Sequence, residues 1–244
     1  QELLNGKVCE AIIIDKRDAH YDSADQIHQD INDAFNIYPD ADTTPESGFL
    51  SEFSGAAAAY SVRKLGDSPV AMRVRKTVSS VDYYQVIGFD ANGDLDTAAI
   101  EEFGGSADVH VQTWYDQSGN GRHATQDTAA SQPKIYDGTD GLVTDNGKPA
   151  VSSSSSSAVE LLVPLDYSDL HTSNECAALQ VVSGDGQAGF GLGGNTQHGI
   201  IGSWSGDLRY WNAPNQVSAN KANEEQSLVL GNRSGNTKTL NENA

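Results

Sequence analysis

A chain of 244 residues with 15 Lys and Arg against 34 Asp and Glu carries a formal charge of −19 at pH 7. That balance repels nucleic acid and anionic membrane surfaces and excludes both as partners. A hydrophobic fraction of only 37% together with 24 glycines fits many short strands joined by tight turns, and the surplus carboxylates serve solubility in a salty medium or supply oxygens for divalent cations.

In chain order, residues 1–7 read as an arm. Residues 8–14 follow as a strand in which Val8, Ala11, Ile12, Ile13 and Ile14 make both faces apolar, the pattern of a fully buried strand. Ser23 and Gln26 stand at capping-box spacing, and Ile27, Ile31, Ala34, Phe35 and Tyr38 then fall on one helix face that Pro39 ends. Residues 40–48 hold Asp, Thr, Pro, Ser and Gly and read as a linker. Residues 55–65 are predicted helical. Val70, Met72 and Val74 alternate with Ala71, Arg73 and Arg75, as in a half-buried strand, and residues 81–89 form another.

A turn at 90–93 leads to a short helix over 97–103, stopped by Gly104-Gly105. Residues 109–115 alternate again and carry Trp114 on a central strand, and a two-glycine loop follows over 116–122. The six serines at 152–157 read as a linker. Short apolar runs at 177–182, 189–192, 199–204, 208–211 and 227–230 argue a sandwich, with 231–244 as a polar exposed end.

Several residues are suited to chemistry. Asp116 is a carboxylate beside two aromatics, Trp114 and Tyr115, that could stack on a sugar face; equally, Asp116 and Ser118 could bond loop amides while Gly119 and Gly121 take positive φ. Asp90, Asn92, Asp94 and Asp96, with Glu101 after them, place oxygens at calcium-loop positions. Their glycine, however, stands at the fourth place rather than the sixth, and an Asn-Gly turn before an acidic helix N-terminus explains the same residues. Calcium is the only cofactor the sequence suggests. Trp204, Tyr210 and Trp211 offer either a sugar-stacking platform or core aromatics. His110, His123, His171 and His198 lack zinc-site spacing. Asn232-Arg233-Ser234 fits a glycosylation acceptor. Cys9 and Cys176 form no metal motif and are either a disulfide or two free thiols. No apolar run reaches transmembrane length, so no membrane insertion is expected. No signal peptide is evident, and the opening Gln1 is the start expected of a processed or partial chain.

The order Thr113-Trp114-Tyr115-Asp116-Gln117-Ser118-Gly119-Asn120-Gly121-Arg122-His123-Ala124 carries a family resemblance. It is joined by Ala58-Ala59-Tyr60-Ser61-Val62-Arg63 and Ile87-Gly88-Phe89-Asp90-Ala91-Asn92-Gly93 upstream, and by Gln132-Pro133-Lys134-Ile135 and Asn146-Gly147-Lys148-Pro149-Ala150 downstream. Together they resemble the catalytic-domain family of α-L-arabinofuranosidase B, and more closely its relatives in phage tail and marine bacterial surface proteins. The resemblance spans roughly residues 54–150 and implies a mostly β fold, a concanavalin A-like (jelly-roll) or laminin-G-like β-sandwich with small peripheral helices. The implied organisation is an N-terminal strand and helix over 1–40, a linker over 41–55, the module over 56–150, and sandwich strands continuous with it over 151–244.

In such relatives a strand and helix like those of residues 8–14 and 27–38 close the sandwich from the C-terminal side. Here they come first. The resemblance therefore implies a slice of a tandem protein, or a strand (Val8, Ala11, Ile12, Ile13, Ile14) donated to a sandwich of another subunit whose edge is left open after Leu230. A strand returning to its own sheet is the alternative. The enzymes of the family have an adjacent cysteine pair, whereas Cys176 is followed by Ala177, and no catalytic Glu and Asp carry over. The expected function is thus a non-enzymatic structural or adhesive subunit of a phage tail or extracellular fibre, at a virion or extracellular surface. Its expected partners are copies of itself, adjacent fibre subunits and cell-surface polysaccharide. The rival is a glycoside hydrolase of the arabinofuranosidase type, which needs two carboxylates about 5–9.5 Å apart.

Overall fold

The computed structural model describes residues 6–15, 50, 55–153, 161, 175–183, 189–191, 199–204, 207–212, 215–220, 227–234 and 237–242. Every strand pair among them is antiparallel. In the first half, β1 (Gly6–Asp15), β2 (Ala56–Ser61), β3 (Val70–Val78), β4 (Val81–Gly88) and β5 (Val109–Trp114) are the principal strands, with one helix, α1 (Thr97–Gly104), before β5. Short strands follow: β6 (Ala124–Thr125), β7 (Lys134–Asp137), β8 (Gly141–Leu142), β9 (Thr144–Asp145), β10 (Lys148–Pro149) and β11 (Val151–Ser153). The second half adds β12 (Glu175–Ser183), β13 (Gly189–Gly191), β14 (Gly199–Trp204), β15 (Asp207–Asn212), β16 (Asn215–Asn220), β17 (Ser227–Ser234) and β18 (Thr237–Glu242).

One 12-stranded sheet runs β18-β17-β12-β1-β11-β7-β5-β3-β4, with β2, β6 and β8 branching from β1, β5 and β7. A separate four-stranded sheet has the order β13-β14-β15-β16. The expectation of a mostly β protein is met by antiparallel sheets with one short α-helix among the described residues. The expected helix over 27–38 and the linker residues 41–49 lie outside those residues, as do His171, His198 and most of the serine run.

Within this chain β1 lies as the alternative reading has it, in its own sheet. Residues Lys7 to Asp15 pair with Ser183 to Cys176 of β12 along one edge. Along the other edge, Gly6 to Val8 pair with β11 and Glu10 to Ile14 with β2. Val8, Ala11, Ile12, Ile13 and Ile14 thus return to their own sheet, where β1 joins the residues 56–153 to the later strands. A strand bonded on both edges is central, which accounts for its doubly apolar pattern. The edge expected to be open after Leu230 is also filled: β17 continues to Ser234 and pairs with β18. The stretch read as a polar end is therefore a hairpin.

The same register bears on the cysteines. Cys176 lies opposite Asp15, six positions along β1 from Cys9, or roughly 20 Å at the rise of a strand. A disulfide needs Cα atoms within about 7 Å, so these two do not pair within the chain.

A second correction concerns residues 55–65. Four consecutive alanines suggest a helix, yet Ala56–Ser61 is a strand buried at every position. Helix propensity is a weak preference that tertiary pairing overrides, and here both edges of the segment are bonded. The core gathers around it: Tyr60, Leu65, Met72, Ile87, Ile100, Trp114 and Ile135 are all less than 2% exposed.

Candidate functional site

The loop after β5 is where the family-like residues converge, and it is built against β2. Since β1 bonds one edge of β2, residues Ala57, Ala59 and Ser61 turn their remaining backbone groups the other way, as alternation in a strand requires. Among the described residues no strand lies there to receive them. The loop does so with side chains. Asp116 Oδ1 accepts from the Ala59 amide at 2.9 Å and from the Ser118 amide at 2.9 Å. Asp116 Oδ2 accepts from Ser118 Oγ at 2.9 Å and from the Arg122 amide at 3.0 Å.

Gln117 continues the pattern. Its amide donates to the Ala59 carbonyl at 2.8 Å, its Oε1 accepts from the Leu65 amide at 2.7 Å, and its Nε2 donates to the carbonyls of Ser61 and Arg63 at 3.2 and 3.0 Å. Asn120 Nδ2 donates to the carbonyls of Ala56 and Ala57, and Arg122 Nη1 also donates to Ala57, at 2.8 Å. Tyr60 closes the arrangement by donating its hydroxyl to the Arg122 carbonyl. Burial, and then the neighbouring Asp116 charge, push that hydroxyl's pKa well above its ordinary value. Gly119 and Gly121 stand at φ 87° and 69°, the left-handed region where a side chain is strained.

This geometry places the expected sugar-contact residues as follows. Trp114 is 1% exposed, with its ring edge-on to Tyr60 and its Nε1 donating to the Ser61 carbonyl at 3.2 Å; it is a core residue and not a stacking platform. Asp116 is 5% exposed and its two oxygens hold four donors, so it faces the fold rather than a ligand. Tyr115 is half-buried and packs edge-on to His123 at 5.0 Å. Trp204 and Trp211 stand on β14 and β15, opposite Asp207 and Gln216; their side chains, and that of Tyr210, lie outside the described residues. Asn232 pairs on both sides, with Ala177 and Thr239, so the sequon lies within a central strand.

The acidic turn is likewise structural in its bonding. Asp90 Oδ1 accepts from the amides of Asn92 and Asp94 at 2.8 and 3.0 Å, a side-chain turn. Asp96 caps α1 by accepting from the Ala99 amide at 3.0 Å. Asp90 and Asp96 thus bond the turn and the helix N-terminus, and among the described residues no three His, Cys, Asp or Glu side chains converge to hold a metal ion.

Two further polar clusters were not evident from sequence. Arg75, 6% exposed, donates Nε to Gln132 Oε1 at 2.7 Å, Nη2 to the Ala129 carbonyl at 3.2 Å, and Nη1 to Asp82 Oδ1 at 3.0 Å and to the Thr77 hydroxyl. It ties the β3–β4 hairpin to the loop before β7. Lys134 bridges Asp108 and Asp137 at 2.7 Å each. Its hydrogen bond, with those of the Thr139 and Asp140 amides, brings the Asp137 carboxyl down to about 2. The only early sign of the first cluster was an arginine at a position that alternation assigns to a half-buried strand.

The β-sheet arrangement and this loop can be set beside known proteins. No family model matches the chain, and no curated protein is significantly similar to it in sequence. The fold resembles that of GH54 α-L-arabinofuranosidase. A mutant of that enzyme soaked with 4-nitrophenyl α-L-arabinofuranoside superposes with a TM-score of 0.52 at 14% identity, over 78% of this chain and 48% of that one. An arabinofuranosidase complexed with arabinofuranosyl-α-1,2-xylobiose gives a TM-score of 0.49 at 14% identity with the same coverage. At this identity the likeness is one of fold, and the chain spans about half the length of the structures it matches. The family resemblance read from the residues around Asp116 and the fold comparison point the same way.

Proposed function

We propose that the chain is a non-catalytic structural module with a concanavalin A-like sandwich architecture, an adhesive subunit of an extracellular fibre or virion surface. One observation carries this reading. The loop that bears the family-like residues directs its carboxylate, its carboxamides and its guanidinium onto the backbone of β2. A carboxylate acting on a glycosidic bond must instead face the substrate with a second one across from it. The partners proposed are copies of the chain, adjacent fibre subunits and surface polysaccharide, and the two tryptophans of β14 and β15 are the aromatic candidates for sugar contact.

The second reading is a glycoside hydrolase of the arabinofuranosidase type, which the GH54-like fold favours. Incubating the purified chain with 4-nitrophenyl α-L-arabinofuranoside and with arabinan separates the two. The structural reading expects no turnover above that of a heat-denatured control. Turnover abolished by changing a single exposed carboxylate to its amide, with unchanged melting temperature, would replace it by the hydrolase reading.

A further inference from the structure

The register of the four-stranded sheet sorts its residues onto two faces of unlike character. Residues directly opposite one another on antiparallel strands share a face, and so do alternate positions along one strand. Phe190 pairs with Ile201, Leu208 with Ala219 and Tyr210 with Val217, which makes one face apolar. The other face falls into three rows. Trp204, Asp207 and Asn220 stand opposite one another in the first, Gly189, Gly202, Arg209 and Ser218 in the second, and Trp211 and Gln216 in the third. β13 and β14 are neighbours of β1, β12 and β17 of the large sheet, and two packed sheets bury their apolar faces against each other.

We propose that the face with the two tryptophans is the outer one and binds a segment of a neutral polysaccharide. This rests on the polysaccharide-binding part of the reading above and gives it a site and a ligand class. Two tryptophans on the polar face lie away from a core formed by the apolar one. A sugar ring has a flat C–H face and a rim of hydroxyls. An indole stacks on the first. The second needs mixed donors and acceptors, the groups that Asp207, Arg209, Gln216 and Ser218 carry.

The row between the tryptophans begins with two glycines, and glycine inside a strand suits close approach of another molecule to the backbone. Trp211 stands four residues along β15 from the position opposite Trp204, roughly 13 Å at about 3.3 Å per residue. That span fits linked sugars rather than one monosaccharide. Asp207 and Arg209 are the charged residues of these rows and they cancel, on a chain of net charge −19, so an uncharged ligand is matched. A protein partner fits less well. Interfaces gather apolar anchors at a desolvated centre, and the centre here is glycine and arginine.

Native-gel retardation of the whole chain by arabinan, xylan, mannan, β-glucan and alginate tests this. At least one of the four neutral polysaccharides should retard the wild type, equally at low and high salt, because no charge is there to be screened. Trp204→Ala and Trp211→Ala should each weaken binding about three- to tenfold, with Trp204→Phe keeping most of it. Gly202→Val, a residue that strands favour, should block the middle row. Melting temperatures check that all four variants remain folded. A wild type retarded by no neutral polysaccharide overturns the proposal. Folded tryptophan variants that bind like the wild type also overturn it, and leave the adhesive reading standing with its site elsewhere. Retardation by alginate alone, fading as salt rises, does the same. Variants that change the oligomeric state and not the retardation would put a second copy on this face instead. Sugar release by a chain whose tryptophan variants bind more weakly would support the site and end the non-catalytic reading.

Discussion

β2 and β4 pose the same problem and answer it differently. Each has one edge paired to a strand, β1 in one case and β3 in the other, and a second edge beside which no described strand lies. Along β2 the unpaired backbone is covered by Asp116, Gln117, Asn120 and Arg122, and all six residues are buried. Along β4 nothing comparable arrives from the described residues, and the first four residues are exposed. The difference shows what the family-like loop does: its polar side chains act as a surrogate strand. Unpaired backbone groups in the interior cost about as much as a lost hydrogen bond each, so a strand that starts as buried alanine needs such cover.

The largest effect expected from breaking this comparison is at Asp116. Asp116→Ala leaves the Ala59, Ser118 and Arg122 amides without their acceptor, and unsatisfied buried donors cost roughly 1–3 kcal/mol apiece. A destabilisation of about 3 kcal/mol is expected from urea unfolding, with no change in any glycan binding per folded molecule. A loss below about 0.5 kcal/mol would mean that the surrogate-strand account is wrong. Gln117→Ala should come next, at about 2 kcal/mol by the same reasoning, since it leaves the Leu65 amide without its acceptor and takes one donor from each of the Ser61 and Arg63 carbonyls.

Those two residues also mark what the sequence could reveal. Asp116, Gly119 and Gly121 stand out because a short carboxylate and glycines are turn chemistry wherever they occur. The partners of the Gln117 side chain do not, because they lie 52 to 56 positions away. β3, β4, β5 and α1 were legible from alternation and from a capping aspartate, which are local signals. The strand at Ala56–Ser61 was read as helix because an alanine run has helical propensity and its strand character comes entirely from β1 and the loop. β16 and β18 were missed because Asn215–Asn220 and Thr237–Glu242 are polar stretches without an apolar period. The central place of β1 was visible in its doubly apolar pattern, but whose sheet it completes was not, because sequence carries no register.

A smaller effect is expected at Gly119. Its φ is 87°, and a Cβ added there meets nothing within 4 Å. Gly119→Ala therefore isolates backbone strain, about 1 kcal/mol, and should lower the melting temperature without altering the neighbouring packing. No change would mean that the loop relaxes out of the left-handed region and that its hold on β2 does not depend on this turn.

Acid should reveal the Lys134 cluster, on the surface and weaker still. The Lys134 hydrogen bond is the leading cause of the depressed carboxyl pKa at both Asp108 and Asp137. A folded pKa below the ordinary 3.8 gives stability that is present above that value and lost as pH falls toward about 2, the value for Asp137. Lys134→Met should therefore flatten the melting-temperature profile across that window and leave it unchanged near neutrality apart from a constant offset. Parallel profiles for the two proteins would show that the ion pairs are not coupled to folding.

The smallest effect belongs to β4, and its smallness sharpens the contrast with β2. Tyr84 is 44% exposed and its ring is engaged by Arg73 at 4.4 Å. A cation–π contact at an exposed site contributes about 0.5–1 kcal/mol, and surface substitutions otherwise change stability little. Tyr84→Ala should therefore cost no more than about 1 kcal/mol, read from urea midpoints. A monomer destabilised by 2 kcal/mol or more would instead make Tyr84 part of the fold's own packing, and the two edges would no longer be opposites.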